Sequence, residues 1–196
     1  MKGYTTRTEL ENYLLTTIDS TFYSQIDSWI ADIEAYIDNI TGRNFKADTV
    51  ATVKVYDGDN TGHLIIDDCV EVTEVKIGDD TPLNKDESGI DDDYYLYPSN
   101  ILPKTKIKLV GGYFPNWPPQ TIKVKAKWGY SVNVPGDIKN ATTVLVAGMI
   151  NYSNNSDGEV KSMSIGRYNV TYKDEKQWQD FDRLDSIFKH YVKYII

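Results

Sequence analysis

The residues best placed to do chemistry lie between Asp57 and Asp68, where the chain reads DGDNTGHLIIDD. Oxygen donors at Asp57, Asp59 and Thr61, a glycine at Gly62, an apolar Leu64 and a carboxylate at Asp68 imitate the spacing of a calcium loop. Such a loop needs a helix on each side and closes on a long, bidentate Glu. Here VKVY and VEVTEV flank it with the alternation of strands, the closing ligand is the shorter Asp, and Thr61 is a weak ligand. Gly58, Asp59, Asn60 and Gly62 fit a hairpin turn better, so no metal is expected. The run Asp91, Asp92, Asp93 reads as a solvated loop.

Other catalytic chemistry has little to build on. His63 and His190 are far apart in sequence, and neither a Gly-x-Ser-x-Gly nucleophile turn nor a phosphate-binding glycine loop is present. Carboxylates are abundant, but surplus acids usually form a solvated surface. Without a nucleophile, base and oxyanion donors in one constellation, the chain is expected to be neither an enzyme nor a cofactor carrier. The single cysteine, Cys69, allows no intramolecular disulfide and reads as a small buried hydrophobe.

Composition narrows the partners. A chain of 196 residues that is 40% hydrophobic can bury a proper core, and 15 tyrosines with 4 tryptophans argue for surfaces that contact something. A net charge of −8 repels nucleic acid and anionic membranes at long range. The N-terminus lacks the apolar core of a secretory signal, and the run VLVAGMI at Val144–Ile150 is far short of the roughly 20 residues a membrane helix needs. A soluble protein made in the cytoplasm is the expectation.

The elements that must position these residues change texture twice. Thr6-Arg7-Thr8-Glu9 forms a capping-box pattern opening a short helix, and Ile26, Trp29, Ile30, Ile33, Tyr36, Ile37 and Ile40 put one apolar stripe on a longer one. Gly42 falls where helices turn left-handed at their ends, and Arg43 sets a cation near the negative end of the dipole. From Val50 to Tyr130 the period becomes two, with strands ATVKVYD, HLIID, VEVTEVKIG, DYYLYP, TKIKLVGG and TIKVKAKWGYS. Beyond Pro135 and Gly136 a helix resumes through Ile138, Ala141, Leu145 and Met149. A short hairpin, EVKSMSIGRYNVTYKD, follows, and a last helix striped by Trp178, Phe181, Leu184, Phe188, Tyr191 and Ile195 runs to the chain end. The expected fold is α+β. A helical bundle core of about four helices, built from residues 1–48 and 135–196, is interrupted by an antiparallel β-rich insertion at 49–134.

Charge is uneven along the insertion: Lys54 to Asp93 holds 13 acids against 3 lysines, and Lys104 to Lys127 holds 6 lysines and no acid. Lys104, Lys106 and Lys108 lie on one face of their strand, as do Lys123, Lys125 and Lys127. One reading pairs them with carboxylates across strands on a solvated face. The other sets them against acids of a neighbouring copy, Asp91, Asp92 and Asp93 among them.

Taken in order, YIDNITGRNF, YDGDNTGHLIIDD, DYYLYP, WGYSVNVPGDIKNATTVLVAGMI and EVKSMSIGRYNVTY before a final amphipathic helix resemble the head-tail connector proteins of long-tailed bacteriophages, also called adaptor or head-completion proteins. The resemblance covers nearly the whole chain. It implies a structural virion protein of the head-tail neck, assembled in the host bacterial cytoplasm, with Thr41, Gly42, Arg43 and Phe45 as core and turn positions. It further implies a homo-oligomeric, dodecameric ring under the portal protein that extends the DNA channel and receives a downstream neck, stopper or tail-completion protein. DNA only passes through, along a wall whose negative charge avoids tight phosphate contacts. The portal contact would use Tyr191, Tyr194, Ile195 and Ile196, with the hairpin around Ile165, Gly166 and Arg167 as a second candidate. A rival reading, a carbohydrate- or surface-binding module of a tail or baseplate, would use Tyr94, Tyr95, Tyr97, Trp117 and Trp128.

Overall fold

A computed structural model describes residues 1–85, 92–154, 161–165, 168–172 and 184–193. The chain divides into two compact units, one of Met1–Phe45 with Val134–Ile196, the other of Lys46–Asn133. The fold is α+β.

In the first unit, α1 (Arg7–Leu14) begins with the capping box: Thr6 Oγ1 accepts from the Glu9 backbone, and Glu9 Oε2 accepts from the Thr6 N–H at 2.9 Å. Lys139 pairs with Glu9. A 3-10 turn (Ser20–Phe22), capped by the Asp19 carboxylate, leads into α2 (Tyr23–Thr41). Ile26, Ile30, Ile33 and Ile37 of α2 are buried, while Trp29 and Tyr36 are half-buried and Ile40 reaches solvent. The stripe is therefore narrower than its sequence period, and it contains a buried carboxylate, Glu34. α3 (Gly136–Asn154) packs on α1 and α2 with Ile138, Ala141, Leu145 and Val146 in the core. The strands β6 (Lys161–Ile165) and β7 (Tyr168–Tyr172) pair antiparallel, and α4, residues 184–191, buries Leu184 and Phe188. Trp178 and Phe181 lie outside the described residues.

α4 ends at residue 191 rather than at the chain terminus. The reason is competition for its backbone: the Arg43 guanidinium takes the Tyr191 carbonyl at 2.6 Å, and the Lys193 N–H turns back to the Thr41 carbonyl at 2.8 Å.

The second unit is a five-stranded antiparallel sheet in the order β1-β5-β2-β4-β3. Its strands are β1 (Thr52–Tyr56), β2 (His63–Ile77), β3 (Tyr94–Tyr97), β4 (Lys104–Leu109) and β5 (Ile122–Trp128). HLIID and VEVTEVKIG are one strand, β2. Its first part pairs with β4 and its second with β5, and bulges on either side of Cys69 let it serve both. One core cluster fills the inner face, including Leu64, Ile66, Val75, Ile107, Phe114 and Val124.

The stretch from Asp57 to Gly62 is not the hairpin turn that its residue types suggest, because β5 lies between β1 and β2. It is a crossover bonded to a distant loop. A Cβ at Gly58 would meet the Phe114 and Pro115 carbonyls at 2.3 Å, Asn60 N–H donates to the Phe114 carbonyl, and Phe114 N–H donates to Thr61. Long-range backbone contacts, not local turn geometry, set its path.

Candidate functional site

Two constellations among the described residues do more than fill a core. The first gathers three distant segments around Phe45. Gly42 closes α2 in left-handed backbone (φ 67°), which glycine adopts without a Cβ clash, and its N–H donates to the Asp38 carbonyl at 2.8 Å. The Thr41 hydroxyl donates to the Ile37 carbonyl at 2.7 Å. That stop aims Arg43 at the end of α4 and drives Phe45 inward, where it is 0% exposed. The Phe45 ring meets Tyr4 edge-on at 5.9 Å and Tyr191 at 5.1 Å.

Polar groups fix this arrangement. Tyr4 hydroxyl donates to Asp38 at 2.5 Å and accepts the Phe45 N–H at 2.7 Å. Burial, helped by the adjacent Asp38 carboxylate, raises the Tyr4 phenol well above its ordinary range and keeps it a proton donor. Glu34, 2% exposed, accepts the N–H groups of Lys2, Gly3 and Tyr4 at 2.5, 2.7 and 2.8 Å. Lys2 also pairs with Asp38. Tyr191 is half-buried, and its hydroxyl donates to Asp137 at 3.0 Å. Thr41, Gly42, Arg43 and Phe45 thus join the N-terminal segment, α2 and α4. Sequence reading missed Glu34, Tyr4 and Asp38. The available signal was a pair of carboxylates four residues apart bordering an otherwise apolar stripe, a spacing that puts both on one helix face.

The second constellation is the solvent face of the sheet. Ile107 and Leu109 on β4 and Ile122, Val124 and Ala126 on β5 point into the core, so Lys106, Lys108, Lys123, Lys125 and Lys127 all project from the opposite face. Lys127 pairs with Glu71 at 2.6 Å, and Lys123 with the fully exposed Asp79 at 3.0 Å. Lys106 lies over the Tyr97 ring, and Lys104 donates to the Pro98 and Ser99 carbonyls. Lys108 and Lys125 are exposed and have no carboxylate partner among the described residues. On the acidic side, Asp92 is buried and paired with Lys85 at 2.6 Å, and Asp93 accepts the Asn84 N–H at 2.5 Å. Asp91, Gly166, Arg167, Tyr194, Ile195 and Ile196 lie outside the described residues, and Ile165 ends β6.

Between β4 and β5 runs a loop, residues 110–121, without a single charge. Phe114 plugs it into the core, Asn116 N–H donates to the Asn60 side chain, and Gln120 N–H donates to the Asp57 carboxylate. Braced in this way, it leaves Val110, Tyr113 and Trp117 in solvent, Trp117 at 78% exposure.

The residues of the calcium-like stretch take other parts. Asp59 accepts the N–H and hydroxyl of Thr61, which holds its carboxyl below the usual carboxylate range, and Leu64 and Ile66 point into the core. Among the described residues no group of three His, Cys, Asp or Glu side chains is placed to hold a metal ion. Burial pushes the Cys69 thiol up to about 12, so it is an unreactive core group. No helix among the described residues is long and apolar enough to cross a membrane.

No protein-family model matches the chain, and no curated protein does. Two solved structures share its fold over nearly its whole length. One is the neck of an empty GTA particle computed with C6 symmetry, with a TM-score of 0.58 at 15% identity, covering 100% of this chain and 93% of that chain. The other is the neck of a native GTA particle computed with C12 symmetry, with a TM-score of 0.51 at 16% identity, covering 96% and 88%.

Proposed function

We propose that this chain is a structural neck protein of a phage-like particle, forming a ring beneath the portal that extends the DNA channel and joins the filled head to the neck or tail. The observation that carries the reading is a fold shared from end to end with neck proteins of symmetric particles, both units included. In this reading the helical bundle is the body of each subunit and the β-rich unit is inserted into it. The node around Phe45 sets the direction in which the chain end leaves α4.

The portal contact is assigned to Tyr194, Ile195 and Ile196, which follow Tyr191 in sequence, with the hairpin at Ile165, Gly166 and Arg167 as the second candidate. Lys108 and Lys125, the exposed lysines of the sheet face, meet acids of the neighbouring copy. Free protein stays monomeric, because a chain of charge −8 repels its own kind until the portal gathers it. A downstream neck or tail-completion protein docks on the ring, and the reading assigns the chain no catalysis and no cofactor.

Purified protein added to DNA-filled heads that lack it tests this reading. Restored tail joining, with the protein retained on the heads through sedimentation, is the expected result. Heads that join tails equally well without it contradict the reading.

A further inference from the structure

The helical unit contains an open cavity of about 190 Å³ where α1, the 3-10 turn, α2 and α3 converge, lined by Leu14, Ile18, Phe22, Ile26, Trp29 and Ile150. It exceeds the 150 Å³ or so of an apolar cavity that takes up a benzene ring. Its rim is unusual. Leu15, next to it in sequence, is 90% exposed and stands in left-handed backbone (φ 53°), a conformation that a branched apolar residue adopts at a cost, and Phe22 is 54% exposed. The Leu15 backbone caps α1 by donating its N–H to the Glu11 carbonyl, but that cap does not require the Leu15 or Phe22 side chain to stand in water.

The β-rich unit carries the opposite shape. Loop 110–121 holds Trp117 and Tyr113 outward on a backbone already fixed by Phe114, Asn116 and Gln120, so little conformational freedom remains to be lost on binding. Charge matches as well. Residues 94–128, which contain the loop and both strands that carry it, have 6 lysines and no acid, while Asp19 lines the cavity and Glu11 stands on the helix beside it, neither with a cation partner among the described residues. Glu9, Asp27 and Glu34 nearby are taken up by Lys139, Arg7 and backbone N–H groups.

We infer that Trp117 of one copy seats in the Leu14–Phe22–Trp29 cavity of the next copy, with the lysines beside the loop facing the acids around the cavity. Knob and hole are different surfaces of one chain, so the contact is head-to-tail and repeats around a closed ring. It also supplies an acidic partner for Lys108 and Lys125 outside the β-rich unit. The inference rests on the neck reading and specifies the contact between neighbouring copies.

Cysteine pairs on rings assembled on heads test it. Asn116→Cys sits beside Trp117 with its side chain exposed, and Gln25→Cys sits on the cavity wall. After mild oxidation the double variant should give a ladder of covalent oligomers, and an equal mixture of the two single variants should give dimers and nothing larger. Trp117→Ala should keep the melting temperature of the parent protein and lose the ring. Assembled rings without cross-links, links confined within one chain, or the Asn116→Cys thiol joined to another particle protein each overturn the contact. If the double variant does not assemble, Trp117→Ala decides: a ring formed by that variant overturns the inference, and a folded monomer that no longer assembles supports it. Parent protein that never attaches to heads removes the neck reading itself, and the inference falls with it.

Discussion

In the helical unit, Glu34, Asp38, Arg43 and Tyr191 end on groups of the same unit, and those groups belong to segments far apart in sequence. In the β-rich unit the apolar core fills one face of the sheet, while Lys108, Lys125, Tyr113 and Trp117 face solvent. The same chain therefore handles its polar and aromatic groups in two ways. Those near Phe45 fix the chain ends at the cost of buried polar groups that must stay satisfied. Those on the sheet and its loop add little to the stability of a free monomer, since exposed ion pairs contribute about 0–1 kcal/mol. Around Phe45 these groups are turned onto segments of their own unit, and on the sheet several of them are left in solvent.

Substitutions can break that contrast, and Phe45→Ala should do the most. It empties a site with no solvent exposure and removes the ring that Tyr4 and Tyr191 share, at a cost of about 3–5 kcal/mol. Urea unfolding followed by helical circular dichroism should show the loss, while the fluorescence of Trp128, isolated by replacing Trp29, Trp117 and Trp178 with Phe in parent and variant alike, should report an unchanged β-rich unit. Equal shifts in both signals would mean that the two units unfold as one body.

Glu34→Gln comes next. An amide in place of the carboxylate turns a donor toward N–H groups that need an acceptor, at a cost of about 1–3 kcal/mol, and amide hydrogen exchange at Lys2 to Tyr4 should accelerate. Exchange as slow as in the parent would show that Glu34 does not hold the N-terminal segment.

Tyr191→Phe is the mildest. It keeps the ring against Phe45 and removes the hydroxyl from Asp137, at a cost of about 0.5–1.5 kcal/mol, and attachment to heads should be unchanged. If attachment is lost while the melting temperature holds, Tyr191 itself belongs to the portal contact.

The parts that were legible in the sequence depend on neighbours in the chain. The capping box at Thr6 and Glu9, the α2 stripe and the left-handed stop at Gly42 each need only a few consecutive residues; the structure has the first and the last as read, and the stripe in a narrower form. The strand order was not legible, because it depends on backbone bonds across long separations, such as Asn60 to Phe114, and residue types at a turn do not carry that information. HLIID and VEVTEVKIG read as two strands parted at Asp68 and Cys69; they are one continuous strand instead, in which the Asp67 carboxylate accepts from Lys54 and the Tyr56 hydroxyl. The end of α4 was obscured similarly. Apolar spacing continues to Ile195, but Arg43 and Thr41, some 150 residues earlier in the chain, end the helix at residue 191. The lysine alternation did give the correct face of each strand, since a period of two requires no knowledge of the partner.

The central claim, that this chain forms a ring at the junction of head and tail, is tested most directly by imaging the necks of assembled particles at a resolution that traces side chains. The account predicts copies of this chain in a closed ring against the portal, each with the Phe45 node intact and loop 110–121 turned toward its neighbour. Its absence from the neck, or its presence on tail fibres or a baseplate with Tyr95 and Trp117 facing outward, would contradict it.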